Sequence, residues 1–238
     1  MSRMFKTITR TWNPFTGCRF TCSYCWARKL MEGRLRHLTR YKDGFLPTLH
    51  PDRVNPHFRP GDFVFVCDLG DIAFAPVVVK DLVMAVVRNH PDTRFLLQSK
   101  DPGVFANYFG GYRFHEANLY LGTTLETNRW DGYRFSSAPS PHNRYAELKQ
   151  YSGHKFISIE PIMDLDVEIM VDWLREIQPD IVEVGADNYR SDLPEPSWGK
   201  VEALMDALRK FVPRVVEKDE LQRLKGGTTR YERRIHHR

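Results

Sequence analysis

The chain has 238 residues, of which 42% are hydrophobic and 27% are charged. This length suits one α/β domain with a full core, and the composition excludes disordered and fibrous proteins. The formal net charge of +5 equals the excess of residues 221–238, which hold six Lys or Arg and one acid. We therefore expect a basic tail and no basic groove across the fold.

The sequence contains no membrane signal. No apolar run approaches the 18 or so residues of a membrane span, and the N-terminus lacks the apolar stretch of a signal peptide. We therefore expect a cytoplasmic protein. We place a domain boundary after Lys218, which gives a folded domain over 1–218 and a basic C-terminal tail over 219–238. The tail either contacts nucleic-acid phosphates or is a solvated terminus.

Short apolar runs alternate with helical patterns along the chain, as is typical of βαβ units. We predict strands near Lys6–Thr11, then at Phe63–Cys67, Arg94–Gln98, Leu119–Thr124, Lys155–Glu160 and Asp180–Val184, and a short seventh at Arg214–Lys218. Apolar spacing predicts a helix over Trp26–Leu38 and others around 82–87, 104–109, 144–150, 170–177 and 201–208. The predicted fold class is α/β, an open partial (β/α)6 TIM-like barrel with parallel strands.

Three of the four cysteines lie within eight residues, as Cys18, Cys22 and Cys25 in a C-x3-C-x2-C pattern. Three thiolates on one loop can reach three irons of a [4Fe–4S] cube and leave the fourth iron open for a small molecule. The alternative is a zinc site completed by Cys67 or a histidine, although a zinc ribbon usually has two C-x2-C pairs. Cys67 by itself is more typical of a small buried residue.

The cysteine pattern, with Tyr24 before the last cysteine and a helix after it, resembles the signature of the radical S-adenosylmethionine (SAM) superfamily. The opening Thr11–Cys18 resembles a phage-associated branch with partial similarity to spore photoproduct lyase-like proteins. The resemblance covers about residues 7–218. It implies that the open iron binds SAM and that one electron cleaves SAM to methionine and a 5′-deoxyadenosyl radical, which abstracts hydrogen from the substrate. An external one-electron reductant of flavodoxin or ferredoxin type is then required.

The resemblance also implies a SAM pocket at the carboxyl ends of the strands. Tyr24 would lie beside the adenine, and Asp68 with the backbone near Gly70 would accept hydrogen bonds from the SAM amino group. Lys100 either pairs with the SAM carboxylate or is a solvated strand-end lysine, and Glu126 either accepts from the ribose or is a helix-start charge. The remaining candidates are also strand-end residues: Ser99, Thr124, Glu160, which would bind cofactor or substrate, and Gly185, which would approach the adenine or form a tight turn.

The substrate stays open between nucleic acid, peptide and small metabolite. The long segment Asn128–Asn143 carries Arg129, Trp130, Asp131 and Tyr133 and is either a lid that stacks a base or a plain cover. The competing hypothesis is a zinc-stapled nucleic-acid-binding module without catalysis. Five successive polar strand ends favour the enzyme, because a simple binder does not require them.

Overall fold

A computed structural model gives the structure of the protein and describes residues 4–109, 111, 116–129, 133–189 and 191–226. In these residues one sheet holds seven parallel strands and curls strongly into an open half-barrel. No helix in the same residues combines the length and the apolar character that a membrane crossing requires.

The strands follow the chain in order from one edge of the main sheet to the other, β1-β4-β5-β6-β7-β8-β9. Two short antiparallel strands, β2 and β3, form a separate pair beside it. The strands are β1 Arg10–Trp12, β2 Phe15–Thr16, β3 Thr48–Leu49, β4 Phe63–Val66, β5 Arg94–Gln98, β6 Leu119–Thr124, β7 His154–Ile159, β8 Ile181–Val184 and β9 Arg214–Glu217.

Helices connect most of the neighbouring strands, as parallel pairing requires. They are α1 Trp26–Glu32, α2 Val77–Asn89, α3 Gly103–Phe109, α4 Pro141–Leu148, α5 Val167–Ile177 and α6 Trp198–Leu208. The α/β partial barrel predicted from the sequence is confirmed. The predicted Trp26–Leu38 helix is too long, because α1 ends at Glu32 and Gly33 follows as its C-cap.

Two apolar layers fill the two faces of the sheet. The larger layer includes Val64, Leu97 and the buried faces of α2, α5 and α6. The smaller layer joins Phe65, Leu96 and Phe156 to Phe5 from the N-terminal segment. Side chains alternate along each strand, so every second residue faces the same layer. Gln98 follows Leu96 by two places and Ser158 follows Phe156 by two places. Both therefore continue the smaller layer toward the carboxyl ends of the strands.

The residues directly after β9 pack onto the domain. Asp219–Gly226 forms 3-10 turns in which Leu221 and Leu224 are buried in the larger layer. Arg223 pairs with Glu195. Residues 227–238, the rest of the predicted tail, lie outside the described residues, and the boundary after Lys218 stays a prediction.

Candidate functional site

A cavity of about 170 Å³ opens at the carboxyl ends of the parallel strands, where ligands of such sheets usually bind. Its wall comes from the cysteine loop on one side and from the strand ends on the other. The lining includes Cys18, Cys22, Tyr24, Cys25, Asp68, Gly70, Asp71, Gln98, Ser99, Lys100, Thr124, Glu160, Asp187 and Lys218.

Two glycines fix where the cysteine loop begins. Gly17 has φ +90°, and a Cβ there would lie 2.2 Å from the Leu46 carbonyl oxygen. Gly70, after β4, forms a bridge with Gly17, and a Cβ on Gly70 would lie 2.7 Å from the Gly17 oxygen. Because only glycine fits such close backbone approaches, the two positions hold the first cysteine beside the end of β4.

The three clustered cysteines are free thiols on one wall of the cavity. Their sulfurs contact nearby donors: Cys18 accepts from the Phe20 amide at 3.3 Å, Cys25 from the Arg28 amide at 3.4 Å, and Cys22 lies 3.0 Å from the Ser136 hydroxyl. Burial raises the pKa of the Cys18 and Cys25 thiols.

No group of three or more His, Cys, Asp or Glu side chains in the described residues is arranged to hold a metal ion as it stands. A cubane cluster takes each thiolate on a different iron, whereas zinc draws its ligands to one point. Three thiols on one short loop that faces a cavity are the donor type that iron–sulfur clusters take.

The fourth cysteine, Cys67, lies elsewhere. It is buried in the larger apolar layer beside Val66 and Ile72 and does not line the cavity. Burial raises the pKa of its thiol. This placement leaves Cys67 away from the thiols with which a four-cysteine zinc site would combine it.

The residues after β4 supply two carboxylates with different partners, the half-buried Asp68 and the buried Asp71. Asp68 accepts from the Asn13 side-chain amide and faces the cavity, and burial raises its pKa to about 6. Asp71 accepts from the Ser99 hydroxyl at 2.6 Å and from the Lys100 amide at 2.9 Å. Asp71 thus joins the ends of β4 and β5, and the Ser99 hydroxyl is engaged in that link.

Glu126 lies at the centre of a buried charge network behind the cavity wall. Its side chain is fully buried and accepts from Arg144 at 2.7 Å, from Lys100 and from the Tyr24 hydroxyl. Burial alone would raise its pKa, but Arg144 and Lys100 hold the pKa at about 2. The cluster carries two cations and one carboxylate, and it fixes Tyr24 and Lys100 at the cavity wall.

The middle of the long segment Asn128–Asn143, predicted to be either a lid or a plain cover, contacts the cysteine loop. The Tyr133 hydroxyl lies 3.1 Å from that of Tyr24 and accepts from Arg144 at 3.3 Å. The Ser23 amide donates to the Phe135 carbonyl, and the Thr21 amide donates to the Ser137 hydroxyl at 3.0 Å. Trp130 and Asp131 lie outside the described residues.

A second ion pair closes the far side of the cavity. Lys218, after β9, donates to both oxygens of Glu160 at 2.7 Å and also to the Met4 carbonyl. Burial raises the pKa of Glu160 to about 7 even with Lys218 alongside. A Cβ on Gly185 would lie 2.8 Å from the Glu160 carboxyl carbon, so the absence of a side chain at Gly185 makes room for this pair.

The structure thus brings ten of the twelve candidate residues to one cavity. Glu126 lies behind its wall, and Gly185 lies against Glu160. Sequence reasoning missed Arg144, Lys218 and Asp71. Nothing in the sequence marks Arg144 as a site residue, because it lies within a helical pattern. Lys218 and Asp71 both follow apolar strands, so the rule that selected Asp68 could also have selected them.

Comparisons with solved structures give the same fold at low sequence identity. Spore photoproduct lyase with bound AdoMet and dinucleoside spore photoproduct is 11% identical, with a TM-score of 0.50 over 84% of this chain and 61% of that one. A cysteine-to-serine variant of the lyase is 10% identical, with a TM-score of 0.55 over 87% of this chain and 76% of that one. SuiB of Streptococcus suis, bound to precursor peptide SuiA, is 12% identical, with a TM-score of 0.54 over 92% of this chain and 51% of that one. The chain therefore spans only part of the length of these proteins.

A search of curated proteins found no match. A family profile, described as a protein of unknown function (DUF5131), matches residues 4–198. This match covers most of the chain and includes the cysteine loop and every strand end that lines the cavity up to β8. The chain therefore belongs to the DUF5131 family.

Proposed function

We propose that this protein is a radical SAM enzyme. The main support is that the C-x3-C-x2-C loop lines a cavity at the strand ends of a half-barrel. Spore photoproduct lyase and SuiB, which share the fold, are both radical SAM enzymes. The AdoMet bound to the lyase supports SAM as the cofactor here.

Cys18, Cys22 and Cys25 would each hold one iron of a [4Fe–4S] cluster. When bound, the cluster supplies one electron to the SAM sulfonium, which yields methionine and a 5′-deoxyadenosyl radical. Tyr24 and Lys100 reach the cavity wall in positions fixed by Glu126. We propose Asp68, Gly70, Ser99, Thr124 and Glu160 as the other residues that line the SAM pocket, with Glu126 and Gly185 supporting its wall from behind.

The fold does not select the substrate. One neighbour is bound to a dinucleoside photoproduct and another to a precursor peptide, and these ligands share no chemistry. The proposal therefore extends to SAM cleavage and hydrogen abstraction, with the substrate class left to experiment.

The test is anaerobic purification followed by iron, sulfide and zinc analysis and by SAM cleavage with a chemical reductant. We expect a brown protein with about four irons per chain and release of 5′-deoxyadenosine. Replacing Cys18, Cys22 or Cys25 by Ala should abolish both, whereas Cys67→Ala should keep both because its thiol lies outside the cavity. A colourless protein with one zinc, or loss of iron in Cys67→Ala, would contradict the assignment.

A further inference from the structure

The segment between α1 and β3, residues 33–47, covers the outer side of the cysteine loop. Phe45 is buried against Met31 and Leu69, and Cys18 and Cys25 pack against the same cluster. The Cys18 amide donates to the Phe45 carbonyl at 3.2 Å. The next residue, Leu46, is 64% exposed. Leu46 at the protein surface is therefore bonded to Phe45, and the Phe45 carbonyl is hydrogen-bonded to the backbone of Cys18, the first cysteine.

This segment presents exposed cations. Successive backbone hydrogen bonds, such as Leu38 to Leu35 and Tyr41 to Leu38, wind it into tight turns. Arg34, Arg36 and Lys42 are exposed, and none has a carboxylate within ion-pair distance in the described part of the chain. Arg40 differs, because it pairs with Asp52.

Apolar side chains lie exposed in the same segment and at its end. Leu38 is 42% exposed and Leu49 is 40% exposed, in addition to Leu46. We call Arg36, Lys42, Leu38, Leu46 and Leu49 the basic face. Arg34 is not part of it, because it lies within electrostatic reach of Tyr189 in the cavity lining. A surface that combines exposed leucines with unpaired cations suits an acidic partner protein whose own contact surface has an apolar centre.

The charge of this region differs from that of the rest of the domain. Residues 33–47 contain four Lys or Arg and one acid, Asp43, although the net charge of the chain is accounted for by residues 221–238. The rest of the domain must therefore carry a compensating negative excess. Such asymmetry orients an acidic protein toward the positive side during diffusional encounter.

The other side of the cysteine loop is covered by the chain itself. The backbone of Ser23 bonds to Phe135, and Ser136 lies against the Cys22 sulfur. The cavity must also admit SAM and substrate. The basic face is therefore the approach to the cysteines that leaves the cavity free.

We propose that the basic face is the docking surface for an acidic electron-carrier protein, an inference that rests on the proposed radical SAM function. One electron leaves the reduced carrier, whose own cofactor is oxidised by one electron, and enters the oxidised cluster. No proton or group moves in this step. The donor is consumed stoichiometrically and is reduced again elsewhere.

The experiment measures cluster reduction by stopped-flow absorbance, with reduced flavodoxin as the probe and photoreduced deazaflavin as the small-molecule reductant. Lys42→Glu is compared with Lys210→Glu, a matched reversal at an exposed lysine after α6. An Arg36→Glu/Lys42→Glu double variant extends the series. All variants are first shown to hold the wild-type amount of iron.

We expect Lys42→Glu to slow reduction by flavodoxin about tenfold at low salt, and the double variant to slow it further. Added salt should shrink the difference. Lys210→Glu should match wild type, and deazaflavin should reduce every variant equally. The proposal would be overturned if flavodoxin reduced Lys42→Glu and Lys210→Glu at equal rates. It would also be overturned if Lys42→Glu lost binding to an oligonucleotide while flavodoxin still reduced it at the wild-type rate. A wild-type protein that deazaflavin cannot reduce would instead contradict the proposed function.

Discussion

Glu126 is a fully buried carboxylate between a buried arginine and a partly buried lysine. Removing one partner of such a cluster leaves a buried charge without compensation, which costs more than the intact pair contributes. The same carboxylate also holds the Tyr24 hydroxyl. Glu126 therefore links the stability of the domain to the shape of the cavity wall.

We expect Glu126→Gln to lower the free energy of unfolding by about 3–5 kcal/mol, because Arg144 stays buried without a counter-charge. Denaturant unfolding measures this. Glu176→Gln, which removes an exposed partner of Lys149, is the matched control and should change stability by less than about 1 kcal/mol. Similar losses in both variants would contradict the assignment.

The pH dependence of the same variant has a defined sign. The pKa of folded Glu126 is about 2, against an ordinary value of 4.5. A carboxylate with a lowered pKa stabilises the folded state above its unfolded pKa and loses that effect as pH falls toward the folded pKa. Wild type should therefore lose stability between about pH 4.5 and pH 2, and Glu126→Gln should lack this component.

Ser136 is placed to adjust the reduction potential of the proposed cluster, because its hydroxyl lies 3.0 Å from the Cys22 sulfur. A hydrogen bond to a ligand sulfur stabilises the reduced cluster. We expect Ser136→Ala to make the reduction potential more negative in a potentiometric titration. Ser137→Ala is the control, since its hydroxyl accepts from the Thr21 amide, and its potential should equal that of wild type. A shift in Ser137→Ala alone would reverse the assignment.

At the scale of elements, the contact between the cysteine loop and the turn after β4 depends on two glycines that touch. We expect Gly70→Ala to lower the free energy of unfolding by about 1–3 kcal/mol and to reduce iron retention, because the new Cβ would displace Gly17 and the loop behind it. Thermal unfolding and iron content measure the two effects.

Gly199→Ala in α6 is the control for that substitution. Nothing lies within 4 Å of a Cβ at Gly199, and alanine is the better helix former by about 1 kcal/mol. This variant should be as stable as wild type or more so, with unchanged iron. Equal iron retention in Gly70→Ala and Gly199→Ala would mean that the glycine contact does not position the cysteines.

At the scale of the whole molecule, residues 219–226 after β9 pack onto the domain. Leu221 and Leu224 belong to the core, and Arg223 pairs with Glu195. Truncation after Lys218 should lower the free energy of unfolding by several kcal/mol, since each buried leucine contributes about 2–5 kcal/mol relative to alanine. Truncation after Gly226 keeps these contacts and should therefore give the more stable of the two shortened proteins.

The same two truncations test whether the tail contacts nucleic acid. Residues 227–238 contain four Arg and one Glu. If they bind duplex DNA, removing them should reduce the slope of log affinity against log salt by up to about three phosphate equivalents of roughly 0.9 each. An unchanged slope, measured by fluorescence anisotropy, identifies the segment as a terminus that takes no part in binding.

The sequence by itself determined the α/β partial barrel and the cysteine loop. Strand bounds such as Arg94–Gln98 and Leu119–Thr124 were predicted to the residue, because strands buried on both faces are continuous apolar runs whose ends are marked by polar residues. The carboxyl ends of parallel strands meet at one edge. For that reason polar strand ends far apart in sequence were expected at one site, and the structure places most of them there.

Only the tertiary structure decided which partner each polar residue meets. Glu126 faces Arg144 and Lys100 at its carboxylate, and Glu160 faces Lys218, 58 residues later in the chain. The spacing that predicts a helix or strand is local, whereas these pairings depend on how the strands curl and which ends approach. The basic face was likewise hidden from the total charge, because acids elsewhere in the sequence offset its cations. The structure adds that these cations are exposed and that their segment packs beside the cysteine loop.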